Sequence, residues 1–335
     1  MKTAIFWDGA IGVSSYYVKN KTAYSFWDHT PYSYHHSISP SCFMNTHNWN
    51  FLWDTGYFLN LNEFVEKEID FPSLDLDVIF YACERGGIRN ETKHLYSTER
   101  LRKKYPNAKI VAYLKEVHVK PEYLPNRIDF LKSCDAVHIE AVDTMRDLPE
   151  YKELENHLGI KFNYSSQPIN IDYYYDNFYS NEKIKGIYAY LPNPMHRRGE
   201  TYRFAEYISK KYNLPVKYKP LVEGQKFDYV KQEDFIKMWT PYLFHFNLDP
   251  IPWHPGGQVA QVAAVGSINI GGHNESHHIL YPETATCDTN ILEQKIIEYL
   301  DTPKKLHSTI QNAWNNLNKT YSFNTVKKQL EDLYG

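Results

Sequence analysis

At 335 residues with a formal net charge of −3, the chain is long enough for two ordinary domains, each burying its own core, and has no global basic field of the kind that marks a nucleic-acid binder. Its four cysteines, Cys42, Cys83, Cys134 and Cys287, stand far apart without a Cys-x-x-Cys pair, so the sequence signals neither a zinc knuckle nor a disulfide framework and suits a reducing cytosol. Met1 to Trp7 lacks the apolar core of a signal peptide and no apolar run approaches the ~20 residues of a membrane span, so a soluble, cytoplasmic protein is expected.

Taken in order, Lys2 to Trp7 reads as a first parallel strand, and Asp8-Gly9-Ala10-Ile11-Gly12 as a turn at its C-terminal edge, where open α/β sheets bind ligands. The turn is not Gly-x-Gly-x-x-Gly; Asp8 is a candidate site residue, and an ordinary strand-to-helix turn is the alternative. Residues 20–60 scatter Trp27, His29, His35, His36, His47, Trp49 and Trp53 among Ser, Asn and Pro. No metal-ligand spacing appears there, and loops with short strands shaping an acceptor pocket are expected. Aromatics make up 16% of the chain, with 29 tyrosines, which suits sugar or base contacts and would equally follow from an AT-rich coding sequence.

Asp77 to Ala82 reads as a buried strand, Thr98 to Tyr105 as a helix and Lys109 to Leu114 as the next strand, running into Lys115-Glu116-Val117-His118. A carboxylate just past the C-terminal end of a strand is where a general base can stand, and Glu116 is the candidate, with a solvated surface acid as the alternative. Helix Asp129 to Ser133, strand Ala136 to Ile139, helix Glu150 to Leu158 and segment Lys161 to Tyr164 complete a domain over 1–165. Pro168 and the unperiodic run Asp172-Tyr173-Tyr174-Tyr175-Asp176 mark a linker over 166–183.

The second domain, 184–335, opens with a strand at Lys185 to Leu191, followed by the loop Pro192 to Glu200 and the amphipathic helix Thr201 to Tyr212 with Phe204, Ala205 and Ile208 on one side. Arg197 and Arg198 in that loop suit a diphosphate, because each guanidinium offers forked donors and keeps its charge. Strand Pro215 to Lys219, helix Gln232 to Met238 and strand Tyr242 to Asn247 follow. The run from Pro255 to Gly272 then supplies a glycine loop (Gly256, Gly257), a small-residue helix stopped by Gly266 as its C′ residue, and a buried strand, Ser267 to Ile270. Backbone N–H groups at that helix start point where a diphosphate could sit. Gly272 to His278 reads as a polar loop with Asn274 and Glu275 as candidates for hydroxyl contacts, loop solvation being the alternative, and Asn290 to Leu300 and Pro303 to Leu317 read as helices.

The run from Gly256 to Gly266, the Arg197-Arg198-Gly199 loop and the order of elements resemble GT-B glycosyltransferases, and the strand running into Glu116 resembles the one that ends in the catalytic aspartate of phage DNA β-glucosyltransferases. The resemblance implies two Rossmann-like α/β domains facing each other across a cleft. It also implies a donor, UDP-sugar by expectation, held by Arg197, Arg198, Gly199, Gly256, Gly257, Gln258, Gln261, Asn274 and Glu275, and catalysis by Glu116 with Asp8. Three positions depart from the family's pattern. Gln261 replaces the ribose-binding glutamate, Trp253 stands where its partner glutamate eight residues earlier would be, and Gln258 replaces a phosphate-binding arginine. A glutamine still hydrogen-bonds a hydroxyl, without the strength a charge adds.

No Asp-x-Asp stands at a strand end, Asp75-Leu76-Asp77 being at a strand start, so no obligatory metal is expected. The resemblance implies a hydroxymethylated base in phage-type double-stranded DNA as acceptor, with the protein then in the host cytoplasm. Arg85, Arg89, Lys93, Arg100, Arg102, Lys103 and Lys104 would supply the phosphate contacts, or form a solvated helix face. A polysaccharide or small glycan as acceptor, and a catalytically degenerate sugar-nucleotide-binding protein, remain open alternatives.

Overall fold

The computed structural model describes residues 1–7, 18–19, 22–23, 44–45, 52–53, 56–60, 73–82, 98–114, 128–141, 149–189, 198–218, 232–250 and 257–335. The chain divides into two compact units, Met1–Pro168 with Phe323–Gly335, and Ile169–Ser322.

Unit 1 begins with β1 (Thr3–Trp7), followed by the two-residue antiparallel pairs β2 (Val18–Lys19) with β3 (Thr22–Ala23) and β4 (Met44–Asn45) with β5 (Leu52–Trp53). Strands β6 (Gly56–Asn60), β7 (Val78–Ala82), β8 (Lys109–Leu114), β9 (Ala136–Glu140) and β10 (Phe162–Ser165) join β1 in one parallel sheet, in the order β10-β9-β8-β7-β1-β6. Helices α1 (Thr98–Lys104), α2 (Ile128–Ser133) and α3 (Pro149–Leu158) supply connections. A parallel sheet needs cover on both faces, so its strands read as unbroken apolar runs: in β8 every residue after Lys109 is buried. The ladders set Trp7 opposite both Asn60 and Ala82, and Leu114 opposite Ile139, which brings the strands' C-terminal ends to one edge.

Unit 2 opens with α4 (Ile171–Phe178), then runs through β11 (Ile184–Ala189), α5 (Arg198–Tyr212), β12 (Val216–Tyr218), α6 (Gln232–Trp239), β13 (Tyr242–Phe246), α7 (Gly257–Ala264) and β14 (Ile268–Ile270). Helices α8 (Glu275–Leu280), α9 (Thr289–Asp301) and α10 (Pro303–Tyr321) finish it. All four strands are parallel, in the order β12-β11-β13-β14. The apolar side expected of α5 is the one it buries: Phe204, Ala205 and Ile208 are enclosed, and Phe204 stacks on Phe246 of β13 at 5.2 Å. Gly266 ends α7 at φ +76°, and a Cβ there would stand 2.7 Å from the Tyr179 ring, so both conformation and space call for glycine.

Two boundaries differ from the sequence expectation. Within the 166–183 linker, α4 forms, capped by the Asn170 side chain, which accepts from Tyr173 N at 3.1 Å; Ile171, Tyr173 and Tyr174 are buried and α4 packs on α7. The chain's last helix, α11 (Phe323–Tyr334), belongs to unit 1 rather than to a 184–335 domain. Val326, Leu330 and Tyr334, spaced four apart, give it a buried stripe, and it packs on β10. Tyr334 Oη lies 2.9 Å from His138 Nδ1, the other ring nitrogen of His138 lies 2.9 Å from Ser165 Oγ, and Lys109 Nζ donates to the Tyr334 carbonyl at 3.0 Å.

Candidate functional site

Sheet topology places the site before any side chain does. In unit 2 the chain leaves β11 through α5 to reach β12 on one side, while β13 pairs with β11 on the other. Connections that depart in opposite directions leave a crevice past the C-terminal ends of the two strands, where open α/β sheets hold ligands. The loops flanking that crevice are the two that the sequence singled out. One runs from Ala189 to Arg198 and the other from Phe246 to Gly257.

Arg198 and Gly199 form the first turn of α5, Gly199 being exposed, and Gly257 opens α7. Arg197 and Gly256 lie outside the described residues. Two helix N-termini, whose first N–H groups have no partner within their own helix and carry a partial positive charge, therefore follow neighbouring strands. The second loop is also tied to α5, because Leu248 N donates at 3.2 Å to the hydroxyl of Thr201 in its first turns.

Helix α7 buries Val259, Ala260, Val262, Ala263 and Ala264 and leaves Gly257, Gln258 and Gln261 part-exposed on one side. The carbonyl oxygen of the Gln258 side chain is itself buried, and among the described residues nothing donates to it. Such an orphan acceptor costs about 1–3 kcal/mol until a donor arrives, so it marks a place for a ligand N–H or O–H. The same holds for Asn247 at the end of β13: the residue is 6% exposed and its Oδ1 has no partner among the described residues. Sequence reasoning passed over Asn247, and hydrogen-bond satisfaction leaves no trace in a sequence.

The expected polar loop at Gly272 to His278 is instead a glycine turn and the start of α8. Gly271 and Gly272 take φ +88° and +103°, and a Cβ on Gly272 would stand 2.8 Å from Asn247 O, 2.9 Å from His277 Nδ1 and 3.1 Å from Asp249 O. Asn274 is the N-cap, its side-chain oxygen accepting from His277 N at 3.0 Å, and it is only 2% exposed. An asparagine side chain ahead of a helix satisfies one of the unpaired N–H groups, and that local bond prevails over the solvated arrangement. Glu275, 4% exposed, sits in the first turn of the same helix. Burial pushes the Tyr321 hydroxyl well above its usual range, and the negative charge of Glu275 adds to the shift.

In unit 1 the corresponding crevice lies between β1 and β7, because β1 leads to β6 on one side and pairs with β7 on the other. Asp8 directly follows β1, and Glu116 comes two residues after β8, the strand next to β7; both acids lie outside the described residues. Glu140, the last residue of β9, is 1% exposed at the same sheet edge. The strand-end rule that singled out Glu116 also applies to it, and it was overlooked because β9 was expected to stop at Ile139. Of the basic stretch, Arg100, Arg102 and Lys103 are exposed on α1, and Arg102 is held by Asp135 and the Ser133 carbonyl, both at 2.9 Å. Arg85, Arg89 and Lys93 lie outside the described residues. Among the described residues no three His, Cys, Asp or Glu side chains are grouped to hold a metal ion, and no helix is long and apolar enough to cross a membrane.

No protein-family model matches the sequence, and no curated protein matches it either. Solved structures do. An alpha-glucosyltransferase of phage T4, in complex with UDP-glucose and DNA containing an abasic site, superposes with a TM-score of 0.62 at 11% identity, covering 100% of this chain and 99% of that one. Anabaena Alr3699/HepE in complex with UDP and glucose gives 0.53 at 9% identity, over 82% and 80% of the two chains. A mutant of S. aureus TarM in complex with Fondaparinux, alpha-GlcNAc-glycerol and UDP gives 0.54 at 12% identity, over 82% and 58%. The chain has the GT-B fold, built from two Rossmann-like α/β units.

Proposed function

We propose that the protein is a nucleotide-sugar-dependent glycosyltransferase whose donor occupies the crevice of unit 2. The observation that carries this reading is the presence, at one switch point, of the α5 and α7 N-termini, the Thr201–Leu248 bond that ties the β13–α7 loop to α5, and the orphan Gln258 acceptor. The donor diphosphate lies against Arg197, Arg198 and the N–H groups of α5 and α7, where charge-assisted bonds and the helix dipoles stabilise the leaving group without a metal. Gln258 and Gln261 accept from donor hydroxyls. The GT-B neighbours hold UDP or UDP-glucose, which supports UDP-sugar as the donor.

Glu116 takes the proton of the acceptor hydroxyl as its oxygen attacks the anomeric carbon and the UDP oxygen departs. One such displacement inverts the anomeric centre. Proximity and fixed charges carry much of the rate, with the general base adding about 10²–10⁴-fold. For the acceptor we favour a hydroxymethylated base in duplex DNA; the phage enzyme of like fold bound to DNA supports this.

Incubating the chain with UDP-glucose and either hydroxymethylated duplex, unmodified duplex or glycan acceptors, followed by mass spectrometry, tests the reading. A hexose added to the hydroxymethylated duplex alone is expected, lost in Glu116→Gln, with the anomeric linkage read by NMR. Transfer to a glycan would replace the acceptor. Donor binding without transfer or hydrolysis would make the protein a sugar-nucleotide-binding module.

A further inference from the structure

Unit 2 contains a cavity of 540 Å³ between α5 and α9, which meets the donor crevice at Leu248. Its α5 wall is a single helical stripe, Glu200, Arg203, Phe204 and Tyr207, beginning in the same first turn as Arg198. Asn290 and Glu293 of α9 stand opposite. The volume is that of a small-molecule site. The chemistry of the wall selects the occupant. Two carboxylates and one guanidinium face the same space, so a polyphosphate would meet Glu200 and Glu293, and a polycation would meet Arg203.

The α9 N-terminus does not tilt this balance toward anions, because Asp288 Oδ1 already accepts from Asn290 N and Ile291 N at 2.9 and 3.4 Å. Glu293 is fixed in place by Lys211 Nζ at 2.7 Å and Tyr212 Oη at 2.5 Å, with Tyr207 Oη at 3.1 Å. The hydrogen bond from Lys211, first among these, holds its carboxyl below the usual range. Between the polar groups lie apolar surfaces: Phe204 and Leu248, nearly enclosed, and Tyr207, still 46% exposed. One fixed and one exposed carboxylate, a guanidinium and an amide around aromatic carbon match a ligand whose every hydroxyl both donates and accepts and whose C–H faces are apolar.

We propose that this cavity, which borders the donor crevice at Leu248 and Glu200, binds a short neutral oligosaccharide beside the donor. Its occupancy does not depend on what unit 2 does with a nucleotide. Cys287, half-buried in the cavity wall, reports on it. Cys134, whose thiol burial pushes up to about 12, serves as the unreactive reference.

The full chain is titrated with maltotriose, cellotriose and chitotriose by saturation-transfer NMR, while iodoacetamide alkylation of Cys287 is followed by peptide mass spectrometry. At least one trisaccharide is expected to bind in the millimolar range and to slow alkylation of Cys287 at least five-fold. Arg203→Ala, on the exposed side of α5, should weaken that binding at least ten-fold. The protection measurement uses the unaltered chain, so the test stands even if the variant folds poorly. Absence of binding by all three sugars, binding unaffected by Arg203→Ala, or competition between UDP and the trisaccharide for Cys287 protection would each overturn the proposal.

Discussion

Lowering the pH from 7.5 to 5 should destabilise both units through three histidines, by an amount set by their burial. His138 in unit 1 and His245 and His277 in unit 2 are fully enclosed, and burial holds each ring down to about 3. Each ring stays neutral in the fold but takes a proton in the unfolded chain below a pKa of about 6.5. Stability is therefore intact above pH 6.5 and falls below it, by about 1.4 kcal/mol per pH unit per histidine, until the folded pKa is reached. At pH 5 this amounts to about 2 kcal/mol in unit 1 and about 4 kcal/mol in unit 2, against a typical domain stability of about 5–15 kcal/mol. Ordinary carboxylates titrate below this window, near about 4. Urea unfolding across the range, with hydrogen exchange resolved to peptides of β9 and β14, measures the loss in each unit. His277→Gln should remove one share of the slope in unit 2. A stability that stays flat from pH 7.5 to 5 would refute the enclosure of these rings.

Tyr334→Phe should cost unit 1 about 1–3 kcal/mol by leaving His138 Nδ1 without its hydroxyl. Tyr334→Ala should cost about 3–5 kcal/mol, read by thermal unfolding, since the ring also meets Phe80 edge-on at 5.5 Å. Gly266→Ala should destabilise unit 2 by at least about 1–2 kcal/mol from the positive φ alone, with the Tyr179 clash added. Asn274→Ala should cost about 0.5–2 kcal/mol as a lost helix cap and leave donor affinity within two-fold. A donor affinity that falls ten-fold while stability holds would make Asn274 a ligand contact after all.

How much could be read in advance depended on whether burial was local. Strand β8 was bounded correctly because Lys109 and Leu114 frame an apolar run that only a covered sheet explains. Gly266 was placed as a helix stop because positive φ selects glycine whatever the surroundings. Helix α4 was hidden by composition: Tyr173 and Tyr174 are its buried face, but a tyrosine reads as polar and apolar alike, and neighbouring Asp172 and Asp176 suggested a linker. Helix α8 was missed since its buried residues include Glu275, Ser276 and His277, side chains a pattern assigns to solvent. Helix α11, with its stripe of Val326, Leu330 and Tyr334, lies past the last helix expected, and its place in unit 1 involves His138, 196 positions earlier in the chain. At the site, residue type pointed to the Arg198 and Gly257 turns. The Thr201–Leu248 bond and the orphan oxygens of Gln258 and Asn247 arise only when separated segments meet.

Calorimetric titration of UDP into the full chain, beside the Arg197→Ala/Arg198→Ala double variant, most directly tests whether the unit 2 crevice holds a nucleoside diphosphate. Saturable binding of UDP is expected, weakened at least ten-fold by the double variant while its thermal unfolding is unchanged. Binding that ignores the loss of both guanidinium groups, or no binding of UDP or UDP-sugars at millimolar concentration, would contradict the donor site.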